Sequence, residues 1–288
     1  MTKPDFPVMV LMAGALTCSL GCGEPELPID AAVAVDASGA SDARPSDAGA
    51  DDGGTSDGGL SPDAQPDAGP AISHYGVVSV GDVAGAAFVG QIRGAFVSAA
   101  ELPILLGVRV PIVGAPDCYE WNPPPPVVPD YQDAGRLLFQ GLILATHSVE
   151  PGPEGDYAFD YANLLETPGA PIKLTVPGGP IVESFEANVV TPDPAMVGNW
   201  TQGSTGVHTS WTAGNGDHVL LRFANSEGVR VCEVPDTGSF LVPAAALAPD
   251  DVPDGGYFVF QRVVETTVTS PSGTQELRLR AFSEDQIL

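Results

Sequence analysis

The chain has 288 residues and a formal net charge of −26, from 37 acidic and 11 basic side chains. This length allows one or two domains, since a domain typically takes about 100–200 residues. The charge excludes a protein that holds nucleic acid by electrostatic attraction, because neutralising phosphates requires a surface rich in Lys and Arg. We therefore expect no nucleic-acid partner.

The first 22 residues have the pattern of an export signal. A short polar start containing Lys3 precedes a mostly apolar run of fifteen residues from Phe6 to Leu20. A membrane-spanning helix needs about 20 apolar residues, so this run is short for a span. It fits the apolar core of a secretory signal peptide instead.

The end of this segment, Ser19-Leu20-Gly21-Cys22, resembles the lipobox of bacterial lipoproteins, in which a small residue precedes a cysteine. That family usually has Leu three residues before the cysteine, where this chain has Ser19. The resemblance implies that Cys22 is acylated and becomes the first residue of the mature chain. The membrane is then a partner through the lipid, and we expect the protein to be exported and anchored in the outer membrane or at the cell surface. An ordinary secreted protein and an uncleaved anchor are the alternatives.

Residues 23–71 are predicted to form a disordered linker. The stretch from Glu24 to Ala71 consists mainly of Ala, Asp, Gly, Pro and Ser, has no aromatic residue and carries a net charge of −10. Such a composition buries too little apolar surface to offset the entropy lost on ordering. A lipidated cysteine followed by this kind of tether resembles the surface lipoproteins of myxobacteria and their relatives.

The rest of the chain is predicted to be all-β, with one or two β-sandwich units. Short runs rich in Val, Ile, Phe, Tyr and Thr alternate with Gly, Pro and Asp, which is typical of a sandwich or barrel. One short helical piece is predicted at 244–248. The candidate strands are 74–80, 87–97, 104–113, 136–145, 157–161, 171–176, 181–190, 206–212, 218–224, 229–234, 239–242, 257–267 and 276–282.

We divide this part into a β-rich unit at 72–185 and a second unit at 186–288. In the second, a strand containing Trp211 ends at the glycine-rich turn 213–216, and a late strand begins at Tyr257 after Pro253. This order loosely resembles a type III fibronectin or immunoglobulin-like module. The resemblance implies that Trp211 is a core residue and Tyr257 a corner residue.

Two cysteines, Cys118 and Cys232, lie beyond the signal segment. An exported chain allows them to form a disulfide, and two unpaired thiols are the alternative. Beyond residue 71, spacings typical of zinc sites, of serine hydrolases and of phosphate-binding loops are absent from the sequence. We therefore predict no catalytic residue, no metal and no cofactor.

The candidate binding residues are Tyr119, Trp121 and Tyr131, which flank four consecutive prolines from Pro123 to Pro126. Such a run favours a stiff polyproline II backbone, and rigid aromatic side chains provide contact area at little entropic cost. The alternative, which we favour, is that these rings fold back to cover a sheet edge.

A second aromatic group is formed by Tyr157, Phe159 and Tyr161, which alternate along one predicted strand. Alternation places the three rings on one face of the strand. That face is interpreted as core, with stacking on sugars as the alternative.

Together these features predict an exported, lipid-anchored cell-envelope protein that displays a non-catalytic β-sandwich module for binding or structural support. Its ligand, in the envelope or outside the cell, is not indicated by the sequence. The alternative is an exported hydrolase acting on carbohydrate or protein. Its catalytic site would be assembled from distant residues, because such sites are recognised by geometry rather than by sequence position.

Overall fold

The structure is a computed structural model that describes residues 71–84, 89–122, 128–225, 228–247 and 257–287. The signal segment predicted at 1–22, and the predicted linker up to residue 70, lie outside these ranges. Among the described residues, no helix is long and apolar enough to cross a membrane.

The prediction of an all-β fold is confirmed. The described residues contain one short α-helix, α1 (Leu102–Leu106), and a 3-10 helix at Ala244–Ala246. The strands are β1 (His74–Ala84), β2 (Val89–Ser98), β3 (Val108–Ile112), β4 (Ala115–Asn122), β5 (Leu137–Gln140), β6 (Thr146–Val149), β7 (Tyr157–Tyr161), β8 (Pro171–Val176), β9 (Phe185–Val190), β10 (Val197–Gly203), β11 (Gly206–Trp211), β12 (His218–Asn225), β13 (Gly228–Val234), β14 (Ser239–Pro243), β15 (Tyr257–Thr269) and β16 (Gln275–Ile287).

The described strands form one large sheet and two small ones. The nine-stranded sheet has the order β3-β4-β13-β12-β15-β16-β1-β2-β7. The four-stranded sheet has the order β6-β5-β8-β9, and the three-stranded sheet has the order β10-β11-β14. Strands β1 and β16 pair in parallel, which joins the first and last described strands of the chain at the middle of the large sheet.

Side-chain alternation explains why these segments are strands. In β9, Phe185, Ala187 and Val189 are buried whereas the residues between them are exposed. A strand turns successive side chains to opposite faces, so this alternation gives each small sheet one apolar face to bury. Strand β8 shows the same pattern, with Ile172 and Leu174 fully buried.

Both small sheets pack on the same face of the nine-stranded sheet. On β15, Phe258 and Phe260 pack in the cluster shared with the three-stranded sheet, whereas Val264 packs in the cluster shared with the four-stranded sheet. These three residues differ by even numbers of positions and therefore lie on one face of β15. The molecule is thus a sandwich with one continuous layer and one divided layer.

The two predicted units do not form separate sheets. Strand β4, from the first unit, pairs with β13 from the second, and β1 pairs with β16. The proposed boundary after residue 185 falls at the first residue of β9. Strands from both predicted units thus belong to the same nine-stranded sheet. Trp211 does lie in the core, and the side chain of Tyr257 lies outside the described residues.

A buried ion pair fastens the loops at one end of the divided layer. The Nε–H of Arg262 donates to Asp236 Oδ2 at 2.8 Å, and both side chains are only 2% exposed. Asp236 also accepts from the indole Nε1–H of Trp211 at 2.7 Å. A Cβ on Gly214 or Gly216 would approach Arg262 side-chain carbons to 2.8 and 2.7 Å. The glycine-rich turn predicted at 213–216 thus leaves room for the arginine.

Buried polar groups normally form hydrogen bonds, and one hydroxyl in the described part of the core does not. The Oγ1 of Thr209, on β11, is buried and has no hydrogen-bond partner among the described residues. Because an unsatisfied buried group costs about 1–3 kcal/mol, Thr209→Val is expected to raise the free energy of unfolding by about 1 kcal/mol.

Denaturant unfolding checks this expectation, with Thr201→Val on the neighbouring strand as the control. Thr201 is exposed, and an exposed substitution usually changes stability by less than about 0.5 kcal/mol. A Thr209→Val variant less stable than the wild type would show that the hydroxyl contributes an interaction.

Candidate functional site

The structure joins Cys118 and Cys232 in a disulfide with an S–S distance of 2.08 Å. The two residues are directly opposite each other on the antiparallel strands β4 and β13, and both are buried. Cys118 lies in the middle of β4. The bond connects segments 114 positions apart in the sequence.

Tyr119 and Trp121 do not form an exposed edge, which corrects the geometric basis for their candidate binding role. Their exposed fractions are 7% and 8%. The Nε1–H of Trp121 donates to the carbonyl of Leu106 at 3.1 Å, and the guanidinium of Arg109 lies 4.4 Å from the centre of the Tyr119 ring. Both rings are buried because β4 is an inner strand, paired on both sides by β3 and β13.

The third candidate, Tyr131, is half-buried and belongs to another cluster. It packs beneath α1, whereas Tyr119 and Trp121 pack with residues of β12, β13, β15 and β16. The structure therefore does not bring the three rings together. Residues 123–127, which contain the four prolines, lie outside the described ranges, as does Cys22. The cluster beneath α1 contains Val77, Ala95, Val97, Leu102, Leu105 and Leu106.

The face of the large sheet that turns away from the small sheets carries a belt of ion pairs. On β16, Leu277 and Leu279 face the sandwich core, so Arg278 and Arg280 face the other way. Both guanidiniums contact the carboxylate of Glu265, with 3.3 Å between Arg278 Nε and Glu265 Oε1. Each of these three side chains is at least four-fifths buried.

Further along this belt, Arg222 donates to Glu284 at 2.7 Å, and Gln261 donates to the same carboxylate at 3.2 Å. At the edge, Arg109 lies 3.2 Å from Glu233. The carboxylates of the belt are thus bound to guanidinium groups. Their chemistry is that of structural ion pairs, and the belt gives no support to the hydrolase alternative.

His218 lies beside this belt, close to Glu233, Glu265 and Arg280. Burial lowers the pKa of His218, whereas the nearby carboxylates of Glu233 and Glu265 act in the opposite direction. Its Nε2 is buried and has no hydrogen-bond partner among the described residues. Burial also lowers the pKa of Arg278, with Glu265 opposing this effect.

A different group of aromatic rings reaches the surface at the edge strand β7. Tyr157, at the start of this strand, is buried; its hydroxyl accepts from the backbone N–H of Ala134 and donates to the carbonyl of Gly135. Phe159 is half-buried, and Tyr161 is 45% exposed. The preferred interpretation of this face as core is therefore correct for Tyr157 and wrong for Tyr161.

The rings of Phe159 and Tyr161 are nearly parallel, with 14° between their planes and 6.1 Å between their centres. His147, on the edge strand β6 of the facing sheet, lies 4.0 Å from Phe159 by ring centres. Burial lowers the pKa of His147. We call His147, Phe159 and Tyr161 the aromatic strip. The strip spans the edge strands β6 and β7 of the two facing sheets. At its outer end the ring of Tyr161 is exposed to solvent.

Sequence reasoning missed the contribution of His147, because the contact joins strands from two different sheets. Within the described ranges, no group of three or more His, Cys, Asp or Glu residues is arranged to hold a metal ion. Among the described residues, the aromatic strip is an arrangement of adjoining rings that includes an exposed member, Tyr161.

Comparison with known proteins gave no family assignment. No family model matches the chain, and no curated relative matches it. One similar solved structure is described as "Structural insight into host cell surface retention of a 1.5-MDa bacterial ice-binding adhesin". The match has 9% sequence identity and a TM-score of 0.20, and it covers 73% of this chain and 64% of the other. The chain thus spans less than two thirds of that structure, and a likeness this low supports no conclusion.

Proposed function

We propose that this chain is an exported, lipid-anchored cell-envelope protein that displays a non-catalytic β-sandwich as a binding module. The binding role rests on the aromatic strip, where Tyr161 is 45% exposed beside the parallel ring of Phe159. Aromatic side chains are enriched at interfaces, because each ring buries a large apolar area there.

Two further features support export. The Cys118–Cys232 bond is of a kind that persists in oxidising compartments outside the cytosol. The apolar run that ends at Leu20 and Gly21-Cys22 resembles a lipoprotein signal, and the acidic linker that follows it would hold the sandwich away from the lipid surface.

The anchor is tested by Cys22→Ala in the full chain. We expect this variant to move from the membrane fraction to the soluble exported fraction, because one lipid chain binds reversibly and stable anchoring requires two or more. Membrane fractionation and the intact mass of the purified protein provide the measurement.

Cys18→Ala is the matched control, because Cys18 lies in the same segment but follows Thr17 rather than a small residue. It is expected to remain in the membrane fraction with acyl chains attached. A Cys22→Ala protein that stays in the membrane, or a wild-type mass without acyl groups, would contradict the anchor.

A further inference from the structure

We infer that the aromatic strip binds an uncharged sugar chain, with the ring of Tyr161 as the main contact. This inference rests on the proposed function as a binding module and names its ligand class. It is carried by three observations, which are the ring geometry, the charge around the strip and the way the edge of β7 is protected.

The ring geometry suits a chain of flat saccharide units. Phe159 and Tyr161 present nearly parallel rings in succession along one strand, and His147 fixes Phe159 from the facing sheet. An aromatic face carries negative electrostatic potential and attracts the weakly positive C–H groups of a sugar ring. Because the rings are held by strands, binding orders few side-chain torsions.

The charge around the strip selects a neutral ligand. The basic side chain nearest in the sheet, Arg93, faces the other side and pairs with Asp160 at 2.8 Å. Residues 72–288 carry 25 acidic and nine basic side chains, so an acidic polysaccharide or a nucleic acid would be repelled. Burial lowers the pKa of His147, which opposes a positive charge on this ring.

The edge of β7 is poorly suited to pairing with a strand from another protein. The side chain of Asp160, on this edge strand, is 58% exposed and pairs with Arg93. A charged residue on an edge strand opposes the addition of a further strand. A ligand at β7 is therefore expected to contact the side chains of this strand and not its backbone.

The test is affinity electrophoresis of the full chain in gels containing an uncharged β-glucan, an uncharged α-glucan or an uncharged mannan. At least one of these polymers is expected to retard the wild type. Tyr161→Ala is expected to weaken that binding about tenfold or more, as removal of a central aromatic contact does. Tyr161→Phe, which keeps the ring, is expected to bind as the wild type does.

Leu241→Ala is the matched control, because Leu241 on β14 is 45% exposed, as Tyr161 is, and lies outside the strip. It is expected to retain the affinity of the wild type. Melting curves of all variants verify folding, and Tyr161 is exposed enough for its replacement to leave the melting temperature nearly unchanged. Equal losses of binding in Tyr161→Ala and Leu241→Ala would overturn the assignment to the strip.

Absence of retardation by all three neutral polymers would overturn the inference, as would binding to charged polymers only. Failure of the proposed function gives a different result. A wild-type protein that carries acyl chains on Cys22 yet binds no neutral glycan refutes the sugar site and leaves the envelope anchor. A protein that binds glycan through Tyr161 without acylation refutes the anchor and leaves the sugar site.

Discussion

Replacing both Cys118 and Cys232 with alanine is expected to lower the free energy of unfolding by about 4–5 kcal/mol. The bond closes a segment of 114 positions, and in the chain-entropy treatment a closed loop of about this length restricts the unfolded chain by that amount. The loss is a large share of the about 5–15 kcal/mol that stabilises a typical domain. Denaturation in guanidinium chloride, with the midpoint and slope both fitted, gives the measurement.

The wild type treated with reductant is the control for this pair, because reduction breaks the same bond without changing a side chain. Its stability is expected to approach that of the double variant. Cys118 and Cys232 lie opposite each other on β4 and β13. The two strands pair through backbone hydrogen bonds, so alanine at both positions is expected to keep the pairing. A loss below about 1 kcal/mol would show that the crosslink adds little to contacts already made by the sheet.

The local pattern of the sequence predicted many of the strands well. The candidates at 206–212, 218–224 and 229–234 differ by at most one residue at either end from β11, β12 and β13. Alternation of apolar and polar residues is a local property of the sequence. It marks a strand independently of which other strand pairs with it.

The strands that the sequence missed lacked that signal. Strand β10 is mostly exposed along its length, so no apolar alternation marks it. The candidate at 104–113 divides into α1 and β3, since short apolar runs suit a helix turn or a strand equally well. Gly107, with φ of 70°, lies between the two elements and permits the sharp change of direction.

The sheet order was beyond local prediction because it depends on pairs far apart in the chain. The pairing of β1 with β16 and of β4 with β13 leaves no local signal, so a division at 185 and 186 drawn from local patterns could not include it. The sequence likewise predicted only part of the aromatic strip. Period-two spacing placed Phe159 and Tyr161 on one face, but their exposure depends on where the four-residue strand β6 of the facing sheet ends.

Removing one partner of the buried pair between Arg262 and Asp236 is expected to destabilise the protein by about 3–5 kcal/mol. Breaking such a pair leaves the other charge buried without compensation. In Arg262→Met, the Asp236 carboxylate keeps the indole of Trp211 but loses its counter-ion. The carbonyls of Pro194 and Thr212 lose their donor as well, so the loops at this end of the sandwich are expected to loosen together.

The exposed pair of Arg136 and Glu150 is the matched control, since its side chains are 58% and 59% exposed. Arg136→Met is expected to cost less than about 1 kcal/mol, because water replaces a surface partner at little cost. The combined variant Arg262→Met with Asp236→Leu should recover part of the loss, since it leaves no unpaired charge in the core. Equal unfolding midpoints for Arg262→Met and Arg136→Met would mean that water enters and solvates Asp236, and that the ion pair does not hold these loops.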